Sequence, residues 1–294
     1  MGPVEAPRDE LAALVDERGY LRLPVRAIRV TGADAAEWLH DLVTADISSL
    51  EPGRSRRSLL LTPTGKIRAD LTVVRETDGF WLLQETSQPD RIEAMLVPYV
   101  LSSDVALHDA SGEVAVFSIP ARARASGGRP VFAPAALGPG VGVLVASGDP
   151  AEAMANELRT AGLVEAGLDA LESWRILMGV PRMGADFDTG SLPAEAGLGS
   201  AIDRTKGCFL GQESVARVAN LGHPPRILVR VAAVGDVGPG DPVSAEGVEV
   251  GDVTSAARDL TGRVQAFARV RWEARDARIV ASGAIELETL PRSD

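Results

Sequence analysis

The chain has 294 residues, of which 45% are hydrophobic, 30 basic and 41 acidic, with a single cysteine. That is enough apolar material for a sizeable core in one large or two to three small domains. The net charge of −11 argues against a general phosphate-backbone binder. One cysteine permits no intrachain disulfide, and no apolar run approaches the roughly 20 residues of a bilayer span.

The first twenty residues are acidic and contain no secretory signal. The sequence-based expectation is therefore a cytoplasmic protein with no membrane association and no direct nucleic-acid binding. Only Lys66 and Lys206 are lysines, so arginine supplies the other 28 cations.

In chain order, LRLPVRAIRVTG reads as a strand. In ADAAEWLHDLV, the residues Ala35, Trp38, Leu39, Leu42 and Val43 fall at helical spacing. SRRSLLLTP, KIRADLTVVRE and GFWLLQE follow as three strands, with turns at Thr64-Gly65 and Asp78-Gly79. A helix with Ile92, Met95 and Leu96 on one face comes next. GEVAVFSIP and GVGVLVASG read as strands.

The helix in DPAEAMANELRTAG is bounded by Asp149 as N-cap, Pro150 in its first turn and Gly162 past its end. DALESWRILMGVP reads as a helix capped by Asp169, with a stripe of Leu171, Trp174 and Met178. Residues 179–211 are glycine-rich and aperiodic, a pattern that usually carries function. Past Pro224-Pro225, short strands and Gly/Pro turns predict a separate small β-barrel or sandwich over residues 226–294. The fold class is α+β, without the strict strand–helix alternation of a Rossmann sheet.

Several chemistries lack their motifs. There is no GxxxxGK[ST], no strand-GxGxxG-helix unit and no GxSxG elbow. His40, His108, His223 and Cys208 are too scattered to predict an intrinsic metal.

The octapeptide KGCFLGQE, residues 206–213, is the most informative stretch. Cys208 fits a buried small hydrophobe or an activated thiol. Lys206 at i−2 shares a face with it if the segment is extended, and a neighbouring ammonium raises the thiolate fraction. Gln212 and Glu213 open a helix whose amides favour an anion; Glu213 also reads as an ordinary first-turn carboxylate. Trp174 fits core packing or stacking on a flat ligand. Arg175 is placed to pair with a carboxylate. Glu195, in LPAEAGLG, is either a surface-loop acid or an acceptor for a bidentate donor such as an aminopyrimidine edge.

KGCFLGQE resembles the signature of the YgfZ-type folate-binding proteins, relatives of the T-protein, the aminomethyltransferase of the glycine cleavage system. VTGADAAEWLHDLVTADISSL, LLLTPTGKIRADLTVV, WRILMGVPRMGADFD and GDVTSAA resemble further family segments in the same order. The resemblance implies two strand-exchanged α+β subdomains, roughly 20–110 and 111–225, and a C-terminal β-barrel over 226–294, arranged as a ring around a folate site.

It further implies binding of tetrahydrofolate or a derivative, and a role in supporting iron–sulfur client proteins, including tRNA-modifying enzymes. Carried over, Cys208, Lys206 and Asp70 are the working residues. Glu195, Gln212 and Glu213 match family positions and are candidate folate contacts; Trp174 is a further candidate beside the pterin, and Arg175 or Arg204 for the glutamate tail.

T-proteins carry a paired Asp-Asp-Leu where this chain has Ala69-Asp70-Leu71, and they lack the signature cysteine. Both departures favour the YgfZ type. Retained Asp70 and Glu195 keep open the alternative of a folate-dependent aminomethyl or one-carbon transferase. A scaffold without ligand is the third possibility.

Overall fold

The computed structural model describes residues 2–123, the backbone of 129–131, and residues 137–291. In chain order the elements are α1 (Arg8–Val15), β1 (Gly19–Arg22), β2 (Val25–Thr31), α2 (Ala35–Leu42), β3 (Ser55–Leu61), β4 (Ile67–Glu76), β5 (Gly79–Glu85), α3 (Ile92–Leu96) and β6 (Ala106–Asp109). Next come β7 (Val114–Ile119), β8 (Arg129–Val131), β9 (Val141–Ala146), α4 (Asp149–Thr160), β10 (Val164–Glu165), α5 (Leu168–Leu177) and α6 (Gln212–Leu221). The last strands are β11 (Arg226–Ala233), β12 (Pro242–Ala245), β13 (Val248–Arg258), β14 (Val264–Arg271), β15 (Ile279–Ala281) and β16 (Ile285–Thr289).

They form a mixed α+β protein. One five-stranded sheet has the order β3-β4-β5-β2-β6, and a second has β10-β1-β7-β9-β8. The C-terminal strands close into a six-stranded barrel, β11-β14-β13-β12-β15-β16.

LRLPVRAIRVTG is thus two strands in two sheets. The Leu23 amide bonds Val116 of the second sheet, whereas Val25 pairs with Glu85 of the first. Pro24 stands at the crossing, where its missing N–H interrupts the ladder.

Alternation along the strands sorts the first sheet into two faces. Ile28, Leu60, Ala69, Leu71, Val73 and Leu82 pack under α2 and α3 in one core. On the other face, β4 presents Asp70 and Thr72, flanked by Arg57 of β3 and by Leu83 and Glu85 of β5. A second core lies under α4 (Phe117, Val143, Met154, Leu158), and a third joins both sheets to α1 and α5 (Leu14, Leu21, Leu83, Trp174).

Two helix starts differ from the sequence reading. Gly148, with φ 77°, is the N-cap of α4 and Asp149 its first residue; Gly167 caps α5, and Asp169 lies inside its first turn. Both acids still sit where the helix dipole favours negative charge. Met178 lies past the end of α5 and is 42% exposed, so it does not continue the buried stripe.

The barrel is locked to α5 by a buried polar cluster. The register of β13 against β14 shifts between Val253 and Ser255, a bulge that lets consecutive Thr254 and Ser255 turn toward the same neighbour. Both hydroxyls donate to Asp186 Oδ1, at 2.8 and 2.5 Å. Asp186 Oδ2 accepts from Arg175 Nη1 at 2.6 Å and from the Arg182 amide at 3.0 Å.

Candidate functional site

Two adjoining cavities lie where α5, the 179–204 loop, β3 and the barrel meet. The larger, about 1020 Å³, is walled by Arg56 and Arg57 of β3, Trp174 and Met178 of α5 and its end, and the loop from Gly197 to Arg204. The smaller, about 380 Å³, is walled by Leu192 to Ala194, Val215 and Val218 of α6, Leu228 and Arg230 of β11, Phe267 and Trp272. They share Gly179, Pro181, Gly197, Ser200, Ile202 and Arg204, so the loops 179–181 and 197–204 form the partition.

Asp70 stands behind the wall of the larger cavity. Arg57 holds it in a bidentate pair, Nε to Oδ1 at 3.0 Å and Nη2 to Oδ2 at 2.5 Å, and Arg57 also donates to Pro181 O at 2.8 Å. A carboxylate has about four acceptor positions, and this pair uses two. Nearby Glu85 has its pKa raised, chiefly by burial and further by Asp70, against the opposing pull of Arg182, Arg57 and Arg175. Ala69, on the opposite face, is fully buried in the helix-side core.

Arg175 cannot meet a ligand's glutamate tail. It is 4% exposed and committed to Asp186 and to Glu172, whose two oxygens it holds at 2.7 and 2.5 Å. Burial opposes its charge, but the Asp186 and Glu172 carboxylates outweigh that and its pKa is raised. Trp174, 5% exposed, packs in the core between the sheets and shows an edge to the larger cavity, so packing and cavity wall are both its roles.

Arg204 is exposed, lines both cavities and makes no hydrogen bond or ion pair among the described residues. Glu195 Oε2 accepts from the Leu192 amide at 2.9 Å, while Ala194 and Ala196 on either side of it line the smaller cavity.

KGCFLGQE lies outside both cavities, and its segment is bent rather than extended. The Lys206 ammonium is occupied by backbone carbonyls. It donates to the carbonyls of His40, Val43 (2.7 Å) and Ala45 (3.1 Å), capping the C-terminus of α2. Burial lowers its pKa to about 8, against the opposing pull of Asp46, Asp41 and Asp203.

Phe209 is buried, and the Leu210 amide bonds Asp41 O at 3.1 Å. Gly211 caps α6 at φ 86°, where a Cβ would sit 2.4 Å from Thr62 O of the β3–β4 turn; only glycine fits. Cys208 is exposed, not a buried hydrophobe. Gln212 is half-buried, Glu213 is exposed, and both occupy the first turn of α6.

Sequence reasoning missed Arg57, Arg230, Phe267 and Trp272. Arg57 was accessible from hairpin register, since it faces Thr72 and so lies diagonal to Asp70. The barrel residues had no such signal, because docking of the barrel on the loop brings them in. Among the described residues, no group of three or more His, Cys, Asp or Glu is placed to hold a metal ion, and no helix is long and apolar enough to cross a membrane.

The structure superposes on the crystal structure of the glycine cleavage system aminomethyltransferase T from Bartonella henselae with a TM-score of 0.80, covering 95% of this chain and 87% of that one at 20% identity. The fold is that of a glycine-cleavage aminomethyltransferase.

Residues 23–121, which span the first sheet and reach into the second, match the family described as the GCVT N-terminal domain. The aminomethyltransferase of Streptomyces avermitilis is 29% identical over 301 residues, covering 90% of this chain and 81% of that protein. That of Geobacillus kaustophilus is 28% identical, covering 80% and 73%. A trimethylamine-oxide aldolase from Ruegeria pomeroyi is 37% identical over 114 residues, 37% of this chain and 14% of that protein.

Proposed function

We propose that this protein is a folate-dependent aminomethyl or one-carbon transferase of the T-protein type. The observation that carries the reading is Asp70. It is the one acid of the family's paired position present here, and it lies on the face of the first sheet that looks toward the cavities, held in orientation by Arg57. The similarity to aminomethyltransferases over most of the chain supports it.

The residues present suit tetrahydrofolate. Phe267 and Trp272 offer apolar surface to flat rings and Arg204 is available to a carboxylate; Glu195, behind the lining residues Ala194 and Ala196, would have to turn from the Leu192 amide to meet an aminopyrimidine edge. Bound folate supplies the nitrogen acceptor for the one-carbon unit. Asp70, with two acceptor positions left, orients the amine of the donor and takes or returns its proton.

The test is formation of methylene-tetrahydrofolate from an aminomethyl donor, alongside anaerobic calorimetry of tetrahydrofolate. Turnover lost in Asp70→Asn with folate affinity retained supports the reading. Tight folate binding without turnover on any such donor sinks the transferase part.

A second reading rests on Cys208. Its loop is pinned by Lys206, Phe209 and Gly211, which leaves the thiol exposed and away from the cavities. That geometry suits a thiol offered to another protein, as the YgfZ-type role in supporting iron–sulfur enzymes requires. Loss of a client enzyme's cluster in a Cys208→Ser strain, with folate binding intact, would favour it.

A further inference from the structure

Glu85 is an acid that the proposed reaction leaves unused. Alternation along β4 and β5 puts Asp70, Thr72, Leu83 and Glu85 on one face of the first sheet, with Thr72 directly opposite Leu83. The ladder between the two strands ends at that pair. Beyond it Gln88, 4% exposed, takes over the bonding. Its Oε1 accepts from the Asp70 amide at 3.1 Å, its Nε2 donates to Asp70 O at 2.6 Å, and its own amide donates to Glu85 O at 3.2 Å. One buried side chain thereby ties the backbone of Asp70 to that of Glu85.

Glu85 also opens on a cavity of its own, about 240 Å³, walled by Leu23, Pro24, Leu168 and Leu171 together with Arg175 and Arg182. Among the described residues no cation pairs with it. Arg57 is bonded to Asp70 at 2.5 Å, Arg175 to Asp186 at 2.6 Å and Arg182 to Glu172 at 2.9 Å. Arg26 of β2 lies on the opposite face and donates to Gln84, Thr86 and Gln88. The one side-chain bond of Glu85 comes from the Ser87 hydroxyl to Oε2 at 3.3 Å. Burial and then the Asp70 charge hold the Glu85 carboxyl above the ordinary glutamate range, against the pull of Arg182, Arg57 and Arg175. Two neighbouring carboxyls, one answered by a guanidinium and one left without a cation, suit a base and an acid respectively.

We infer that Glu85 is a second catalytic acid of this site, the proton donor paired with Asp70. The inference rests on the transferase reading above. Asp70 takes a proton as the bond between the transferred carbon and the acceptor nitrogen forms. Glu85 gives a proton to the donor's amine as the bond between that carbon and the amine breaks. The proton then passes from Asp70 to Glu85. One proton is taken and one given, so the pair is restored without an oxidant or reductant. β5 thus supplies the second acid, which position 69, sealed on the opposite face, could not supply.

The first test needs no donor. Infrared difference spectra across a pH titration read the carbonyl stretch of protonated carboxyls. Wild type should show a band that persists above the ordinary glutamate pKa of 4.5. The band should vanish in Glu85→Gln. It should titrate at lower pH in Asp70→Asn, which removes the neighbouring charge and frees Arg57.

The second test is turnover of an aminomethyl donor with tetrahydrofolate. Glu85→Gln should lower kcat about a hundredfold and lose the decline at alkaline pH that wild type shows, with the Kd for tetrahydrofolate unchanged in anaerobic calorimetry. Glu85→Asp should keep that decline at an intermediate rate. Thermal unfolding of Glu85→Gln should be unchanged or raised, because a half-buried acid without a cation has gone.

Wild-type kcat and pH profile in Glu85→Gln overturn the assignment, and so does a Glu85 band that Asp70→Asn leaves in place. Wild type that binds tetrahydrofolate and turns over no donor sinks the transferase reading instead. The infrared titration then decides the pair alone: a band moved by Asp70→Asn upholds an acid–base pair, and an unmoved band overturns it.

Discussion

Ala69 and Asp70 are adjacent in β4 and face opposite sides of the first sheet, one sealed beneath α2 and α3, the other bonded to Arg57. Of these two positions, only the second reaches the side of the cavities. Asp70→Asn should therefore lower transferase turnover at least a hundredfold, the order typical of a positioned acid or base, and should cost about 1–3 kcal/mol of stability because Arg57 loses its charged partner. Ala69→Asp should restore no activity and should cost several kcal/mol, since it buries an unpaired carboxylate. Turnover and denaturant unfolding of the two variants check both statements.

Asp186 ties three parts of the chain together: Arg175 on α5, the Arg182 loop, and Thr254 and Ser255 on the barrel. Asp186→Ala leaves the Arg175 guanidinium buried with only Glu172 to answer it. The expected loss is about 3–5 kcal/mol in urea unfolding, with Thr254→Val milder because Ser255 still reaches the carboxylate.

Lys206 predicts a pH dependence of known sign. Its folded pKa, about 8, lies below the ordinary lysine value of 10.5. Between those two values the unfolded chain binds more protons at this site than the folded chain, so the site's contribution to stability rises with pH across that window. Lys206→Met should remove this rise and should cost about 2 kcal/mol at pH 7 through the lost carbonyl bonds. Urea titrations of wild type and variant at pH 7.5 and 9.5 separate the two effects; a difference that shrinks between those pH values contradicts the assignment.

The exposed Cys208 should react with a thiol reagent in the native protein, one thiol per chain, without prior unfolding. Gly211→Ala should speed that reaction, because its Cβ collides with Thr62 O and loosens the loop. It should also cost more than about 1 kcal/mol, as expected for alanine at positive φ. A native thiol that reacts only in denaturant would contradict the first statement.

Much of the architecture was legible because it is written in local periodicity. β3, β4, β5 and α2 follow from alternating and helical spacing, and the barrel from its Gly- and Pro-punctuated strands. The crossing at Pro24 was not legible, since nothing local says that Leu23 and Val25 bond to different sheets. The same limit governs the site. Cys208 and Glu195 stand out as residue types in unusual settings, and Asp70 only through the resemblance to T-proteins. Whether Arg175 or Arg204 is open to a ligand depends on Asp186, which meets Arg175 only after the 179–204 loop has folded back on α5. Lys206 misled because its stem reaches backward to carbonyls of α2, a contact that spacing to Cys208 cannot reveal.

The exchange of β1 and β2 has a consequence for how the chain is made. Every strand of the first sheet lies between β2 and β6, an unbroken stretch that can pair as soon as it is complete. The second sheet needs β1, synthesised before all of that, as the strand between β10 and β7. Emerging from the ribosome, Gly19–Arg22 must wait as an open edge while an entire sheet forms behind it, and it is claimed only when β7 and then β10 appear. This long-range pairing sets a slow late step in folding, and in that interval the N-terminal strand is the segment most exposed to pairing with another copy.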